Sequence, residues 1–207
     1  MSRVITIGRQ FGSGGRAIGK KVAEKLGIPF YDKELIKHMA QESGLSHEIL
    51  NDYDEKPTNS FLYSLSLGAY AYGNSFTGIP DMPMSDKIFV IQSDVIKDIA
   101  KKGPCVIVGR CAESVLNGVV DYLSVFIHSD FDARIRRISE YENISHDEAA
   151  ELIRKTDKKR ASYHNYYSEF KWGDATSYDI CINSKVGVEN AAELIVQCAN
   201  MGKPGLL

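Results

Sequence analysis

A glycine-rich loop near the amino terminus constrains the fold of this chain more than any other feature. Residues 4–7 favour a strand, and residues 8–15, which come next, contain four glycines. Ile18, Val22 and Leu26 then recur at helical spacing. Glycines let backbone N–H groups converge on one point, and the start of a helix adds the positive end of its dipole. The order strand, loop, helix therefore predicts a phosphate-binding unit.

Two phosphate-binding motifs compete for this loop. Residues 12–17 match the dinucleotide fingerprint G-x-G-x-x-G/A, and Asp32 lies near the spacing of its ribose-binding acid. Residues 8–11 separate the strand from these glycines, which favours the longer P-loop, G-x-x-x-x-G-K-[ST]. Gly15 or Arg16 replaces the P-loop lysine, and Arg16 or Ala17 replaces its Ser/Thr. An ordinary turn between a strand and a helix is a third interpretation.

Composition and length predict one cytoplasmic domain. The chain has 207 residues and a net charge of −2, so no general basic character indicates a nucleic-acid partner. No apolar run approaches the roughly 20 residues of a membrane span, and the amino terminus lacks a signal-peptide pattern. The four cysteines show no C-x-x-C pairing, which is typical of a reduced protein without a zinc site. We expect neither nucleic acid nor membrane as a partner.

Strand-like and helical patterns alternate along the chain, which indicates an α/β fold. Five short apolar runs are separated by helical segments, and they lie at residues 4–7, 28–31, 105–108, 122–127 and 178–182. This alternation predicts a parallel sheet that is covered by helices on both faces. Ligands bind at the carboxyl ends of the strands in such sheets. The glycine loop, Asp32 and Arg110 all come directly after strands, so we expect them at that edge.

Several arginines occupy positions where they could neutralise phosphate. Arg16 begins the first predicted helix, and Arg110 directly follows a buried strand and a glycine. Arg134 and Arg137 share a helix face, and residues 154–160 contain five basic residues and one acid. Phosphoryl transfer depends on positive charge placed against the moving phosphoryl group, and guanidinium groups suit this role. Solvated surface charge or structural ion pairs would explain the same residues without a ligand.

Two segments have an unusual composition. Residues 58–80 carry no charge and interleave aromatic residues with Ser, Gly and Asn, which fits a packed loop, a mobile lid or a homodimer contact. The basic run at 154–160 leads into an aromatic tract, and residues 154–173 are predicted to form a lid over phosphates. Asp32 could bind Mg²⁺ through water, orient an acceptor or bond a ribose hydroxyl. The histidines show no metal-ligand spacing, so any metal ligands are unknown.

Three motifs resemble those of the cytidylate kinase-like family, which belongs with the nucleoside-monophosphate kinases. They are residues 8–19 (GRQFGSGGRAIG), 29–34 (PFYDKE) and 106–112 (VIVGRCA), and the later residues 157–160 fit as well. The resemblance implies one domain, 1–207, with the P-loop kinase three-layer sandwich and a five-stranded parallel sheet. It implies a core of residues 1–44, 86–153 and 174–207, a helical acceptor-binding insertion at about 45–85 and a lid at about 154–173.

The resemblance also implies an activity: NTP-dependent phosphoryl transfer to a nucleoside monophosphate, with CMP or dCMP as the first acceptor to consider. ATP would be the phosphoryl donor, and Mg²⁺ would be the cofactor that accompanies it. Arg110 would bind the acceptor phosphate, Asp32 would open the acceptor-binding helix, and Arg134 and Arg160 would surround the transferred group. The donor phosphates would lie on Gly12, Ser13, Gly14, Gly15, Arg16 and Ala17. The lid would contribute Arg154, Asp157, Lys158 and Arg160.

The chain departs from cytidylate kinases at several of these positions. The P-loop Lys and Ser/Thr are absent, and the two aspartates that flank Gly-Arg in those enzymes are Val108 and Cys111 here. These departures leave two alternatives open. The first is a non-catalytic nucleotide-binding or regulatory protein, and the second is a Rossmann-type dinucleotide-binding enzyme.

Overall fold

The computed structural model of the chain describes residues 3–33, residue 35 and residues 83–201. The predicted lid or homodimer contact at residues 58–80 lies outside the described residues, as does nearly all of the acceptor-binding insertion at 45–85.

The centre of the fold is a five-stranded parallel sheet in the order β2-β3-β1-β4-β5. Central β1 pairs with β3 on one side and with β4 on the other, in parallel register throughout. The α/β class and the all-parallel sheet predicted from the sequence are thereby confirmed. The strands are β1 (Val4–Arg9), β2 (Phe30–Tyr31), β3 (Val106–Val108), β4 (Tyr122–His128) and β5 (Ile180–Asn183).

Helices connect the strands at nearly the positions that the apolar spacing predicts. They are α1 (Gly15–Leu26), α2 (Met84–Lys102), α3 (Ala112–Leu116), α4 (Phe131–Glu142), α5 (His146–Tyr167) and α6 (Val188–Asn200). Short 3₁₀ turns occupy Ala175–Ser177 and Ser184–Val186. Strand β2 is shorter than the predicted run of residues 28–31, because Pro29 has no N–H to donate and only its carbonyl pairs, with Val106 N at 2.9 Å.

The sheet separates two apolar layers. Ile5 and Ile7 of β1 are fully buried on the face covered by α1 and α6, where they pack with Val22 and Ile195. The opposite face packs against α2 and α3, with Ile107 at its centre. Burial on both faces explains why the strand sequences are continuous runs of apolar residues. In the described part of the chain, no helix is long and apolar enough to cross a membrane.

Cys105, which lies just before β3, gives the fold a testable response to alkaline pH. Its side chain is buried, and burial raises the pKa of the thiol from about 9 to about 11. The unfolded chain loses this proton at lower pH than the folded one, so stability is lost as the pH rises from 9 to 11. Two pH units correspond to at most about 3 kcal/mol. We expect the free energy of unfolding of Cys105→Val, measured by urea denaturation, to fall less between pH 8 and 11 than that of the wild type. An equal fall in both proteins would contradict this role of Cys105.

Candidate functional site

The loop between β1 and α1 has the geometry of an anion-binding loop. Gln10 N–H donates to the carbonyl of Ile127 at 3.0 Å, which fixes the loop to the end of β4. Gly12 and Gly14 have φ of 75° and 79°, in the left-handed region that favours glycine. No side chain caps the start of α1 at Gly14, so the first turn of that helix presents its N–H groups to a ligand.

Ser13 contributes to this loop through its backbone and its packing. Its side chain is fully buried, and its hydroxyl donates to the Gln10 carbonyl at 2.9 Å. The same carbonyl accepts from Ser13 N–H at 3.3 Å. Ser13 therefore holds the turn closed, and its hydroxyl has a partner within the protein.

Helices α4 and α5 support the loop from outside through one buried ion pair. Asp157 of α5 accepts from the N–H of Phe11 at 2.7 Å and from Arg134 Nη1 of α4 at 2.5 Å. The same Arg134 nitrogen donates to the Phe11 carbonyl at 3.2 Å, and Arg137 donates to the Gly12 carbonyl. Arg134 is 6% exposed. These bonds fix the backbone of the loop at Phe11 and Gly12.

Arg16 and Asp32, which were predicted separately, form one ion pair. Arg16 Nε and Nη2 lie 2.8 Å and 2.7 Å from Asp32 Oδ2, and Asp32 Oδ1 accepts from Leu35 N–H at 3.1 Å. The Arg16 side chain is 72% exposed, whereas that of Asp32 is 11% exposed. Asp32 therefore opens the segment after β2 as an N-cap, with its charge balanced from the first turn of α1.

A small cavity of about 30 Å³ lies at the carboxyl ends of β1 and β3. Three guanidinium-bearing residues line it: Arg9, Arg110 and Arg160. Arg160 Nη1 also donates to the Arg9 carbonyl at 3.3 Å. Buried beside them, His164 Nε2 lies 2.5 Å from Glu113 Oε1. Sequence reasoning placed Arg110 and Arg160 here but missed Arg9, although its position at the end of β1 is the signal that could have found it.

A larger hollow of about 600 Å³ opens at the opposite edge of the sheet, beside the first residues of β4 and the segment before β5. Among its lining residues, Asp179 accepts from the Ser124 N–H and hydroxyl at 2.8 Å and 2.9 Å. Ligands of open parallel sheets bind at the carboxyl ends of the strands, so we assign the functional site to the smaller cavity.

The backbone after β3 adopts an uncommon conformation that the sequence did not reveal. Gly109, Arg110 and Cys111 succeed one another with φ of 81°, 63° and 53°. Two successive residues with a side chain in the left-handed region cost about 1 kcal/mol or more each, and such strain concentrates at functional sites. Arg110 and Cys111 are both buried. This turn directs the chain from the end of β3 into α3 and fixes Arg110 at the edge of the sheet.

Two predicted lid residues do not join the site. Arg154 packs its guanidinium carbon 4.9 Å from the centre of the ring of Phe131, the first residue of α4, and Lys158 is exposed to solvent. Asp157 and Arg160 do reach the loop. Residues 154–167 are the second part of α5, so this portion of the predicted lid is helical.

The acids near the loop already have side-chain partners. Asp32 pairs with Arg16, Asp157 with Arg134 and Glu113 with His164. Within residues 3–33 and 83–201, no three His, Cys, Asp or Glu side chains gather as metal ligands. The arginines at this edge of the sheet fit phosphate anions.

Several known proteins resemble this chain in sequence or in fold. A cytidylate kinase of Methanocaldococcus jannaschii is 27% identical, and the match covers 93% of this chain and 94% of that protein. A crystal structure of an uncharacterized protein from Eubacterium ventriosum is 33% identical with a TM-score of 0.72, covering 96% and 98% of the two chains. A shikimate kinase from Bacteroides thetaiotaomicron is 15% identical with a TM-score of 0.57, covering 97% and 99%.

The last of these structures bears on the fold alone, and it confirms the predicted P-loop kinase architecture. The sequence model of one family, described as the cytidylate kinase-like family, matches residues 4–186. That span includes the phosphate loop, the Arg16–Asp32 pair, the turn at Arg110 and the whole of α5. The chain therefore belongs to the cytidylate kinase-like family.

Proposed function

We propose that the chain transfers the γ-phosphoryl group of ATP to a nucleoside monophosphate, with CMP and dCMP as the first acceptors to test. The observation that carries this proposal is the convergence of Arg9, Arg110 and Arg160 beside a glycine loop at the carboxyl ends of the strands. The name of the M. jannaschii relative supports the choice of cytidine nucleotides.

The proposed transfer is in line. An oxygen of the acceptor phosphate attacks the γ-phosphorus of ATP, the bond to the β,γ-bridging oxygen breaks, and ADP leaves with the electron pair. Backbone N–H groups of residues 12–17 hold the donor phosphates. Arg110 binds the acceptor phosphate, and Arg160 stabilises the negative charge on the γ-phosphoryl group during its transfer.

The remaining predicted residues act on the shape of the site. Arg16 holds Asp32, which orients the acceptor side at the start of the segment after β2. Arg134 and Asp157 keep the loop in its anion-binding conformation. Magnesium accompanies ATP in reactions of this class and neutralises part of the phosphate charge. No step of this transfer is assigned to a protein-held metal.

One observation favours a second candidate function, a non-catalytic nucleotide-binding protein. The chain lacks the P-loop lysine and the Ser/Thr that holds magnesium in P-loop enzymes. A protein of this kind would bind ATP and release it unchanged.

A panel of acceptors separates these functions. Purified protein is incubated with ATP and Mg²⁺ and with CMP, dCMP, UMP, AMP or GMP, and ADP and the nucleoside diphosphate are quantified. We expect ADP to appear in equal amounts with the diphosphate of a cytidine nucleotide. Stabilisation by ATP in a thermal-shift assay without any acceptor turnover would support the non-catalytic function. Stabilisation by NAD(P) but not by ATP would support the dinucleotide enzyme.

A further inference from the structure

Arg9 and Gly15 occupy the two positions of the phosphate loop where the P-loop motif has a glycine and a lysine. With Gly14 as the second motif glycine, the spacing G-x-x-x-x-G-K places the first glycine at position 9 and the lysine at position 15. This chain has arginine at the first of these positions and glycine at the second. Relative to the motif, the glycine and the basic residue have therefore exchanged positions.

The stem of Arg9 fills the space that a side chain at position 15 would need. A Cβ added to Gly15 would lie 2.6 Å from Arg9 Cβ, a distance that real Cβ atoms essentially never show, and 3.0 Å from Arg9 Cγ. Gly15 is buried at the start of α1, and its φ is not among the positive values of the described glycines. Space for Arg9, and not backbone conformation, accounts for glycine at this position.

The guanidinium of Arg9 extends to the cavity where Arg110 is proposed to bind the acceptor phosphate. A Cβ on Gly109 would lie 2.9 Å from Arg9 Cζ, so the head of Arg9 rests on the backbone at the end of β3. There it lines the same cavity as Arg110 and Arg160. Arg16, the other candidate for the cation, is engaged with Asp32 at the exposed side of α1.

We propose that Arg9 supplies the cation that the lysine supplies in a P-loop, and that Gly15 and Gly109 make room for it. This inference rests on the proposed function, because it names the charge that faces the transferred phosphates. A guanidinium can bind two phosphate oxygens at once, whereas an ammonium acts as a point charge. Arg9 is thus a phosphate-binding residue that reaches the site from the end of β1.

Phosphate affinity tests Arg9 directly. Binding of inorganic tripolyphosphate and of ATP is measured by calorimetry for the wild type, Arg9→Gln, Arg9→Lys and the control Arg136→Gln. Arg136 is an exposed residue of α4, so its replacement removes one charge outside the cavity. We expect Arg9→Gln to weaken both affinities by about ten- to hundred-fold, because a charged hydrogen bond is lost. Arg9→Lys should bind more tightly than Arg9→Gln, and Arg136→Gln should resemble the wild type.

Arg9→Gln keeps most of the stem over Gly15, so we expect it to fold, and its thermal unfolding is compared with that of Arg136→Gln. Affinities of Arg9→Gln equal to those of the control would overturn the proposal. The packing of the Arg9 stem against Gly15 is tested separately. Gly15→Ala should lower Tm when Arg9 is present but should leave Tm unchanged in the Arg9→Gly variant. An equal loss of Tm in both proteins would contradict this packing.

A failure of the proposal for Arg9 can be distinguished from a failure of the proposed function. If the wild type binds tripolyphosphate through Arg9 but phosphorylates no acceptor, the proposed function fails and this inference stands. If turnover and binding are both intact in Arg9→Gln, the inference fails and the function stands.

Discussion

Replacement of Arg110 by alanine is expected to lower kcat/KM for the acceptor nucleotide by about 100-fold or more. Arg110 is 6% exposed and lines the cavity at the strand ends. A buried cation that stabilises developing charge acts mainly in the transition state, so its loss appears in the rate of transfer. Steady-state kinetics with varied acceptor at saturating ATP measures this effect.

The backbone at Arg110 supplies a control for folding. Its φ of 63° is favourable for glycine and unfavourable for alanine. We therefore expect Arg110→Gly to lose as much activity as Arg110→Ala while unfolding at a higher temperature. Arg110→Lys retains the charge but not the two-pronged geometry, so its rate should lie between those of the alanine variant and the wild type. Unchanged turnover in Arg110→Ala would remove Arg110 from the acceptor site.

Asp157→Ala is expected to cause the largest loss of stability, about 3–5 kcal/mol. The side chains of Arg134 and Asp157 are only 7% and 16% exposed, so the variant leaves a buried guanidinium without its carboxylate. It also removes the acceptor of the Phe11 N–H in the phosphate loop. Urea denaturation at pH 7.5 measures the change, and ATP affinity should fall in parallel because the loop loses its support.

A second variant distinguishes the ion pair from simple packing. Replacement of both partners, as Arg134→Met with Asp157→Leu, removes the uncompensated charge and should be less destabilising than Asp157→Ala alone. Its ATP affinity should remain low, since the bonds to Phe11 are absent. A double variant as unstable as the sum of the single variants would show that the two residues act independently.

The sequence predicted the sheet, and which residues lie at the carboxyl ends of its strands, because both depend on local patterns. Apolar runs such as residues 105–108 identify buried strands, and chain order then places the next residues at the carboxyl edge. Arg110 reaches the cavity in this way, whereas Arg160 reaches it from α5. The pairing of Arg16 with Asp32 was not predicted, because it depends on how closely the start of α1 approaches the end of β2.

Arg9 was missed for a different physical reason. A motif states which residue type occupies each position, and the P-loop motif therefore indicates a cation only at positions 15 and 16. The position of Arg9 at the end of β1 puts it near this edge, but only the structure shows that its side chain crosses the space left by Gly15 to reach the cavity. The left-handed turn at Arg110 and Cys111 was equally hidden, since neither residue type favours positive φ.

Helix α5 also sets how a lid made from residues 154–167 could move. Along this helix, Asp157 and Arg160 bond the phosphate loop, His164 contacts Glu113 of α3, and Tyr167 donates to Asp86 of α2 at 2.6 Å. Spacings of three and four residues place these side chains on neighbouring parts of one helix surface. Residues 154–167 belong to one continuous helix, so we expect its end and its middle to move together. Opening would tilt the whole of α5, and its contacts with the phosphate loop and with α2 would weaken at the same time.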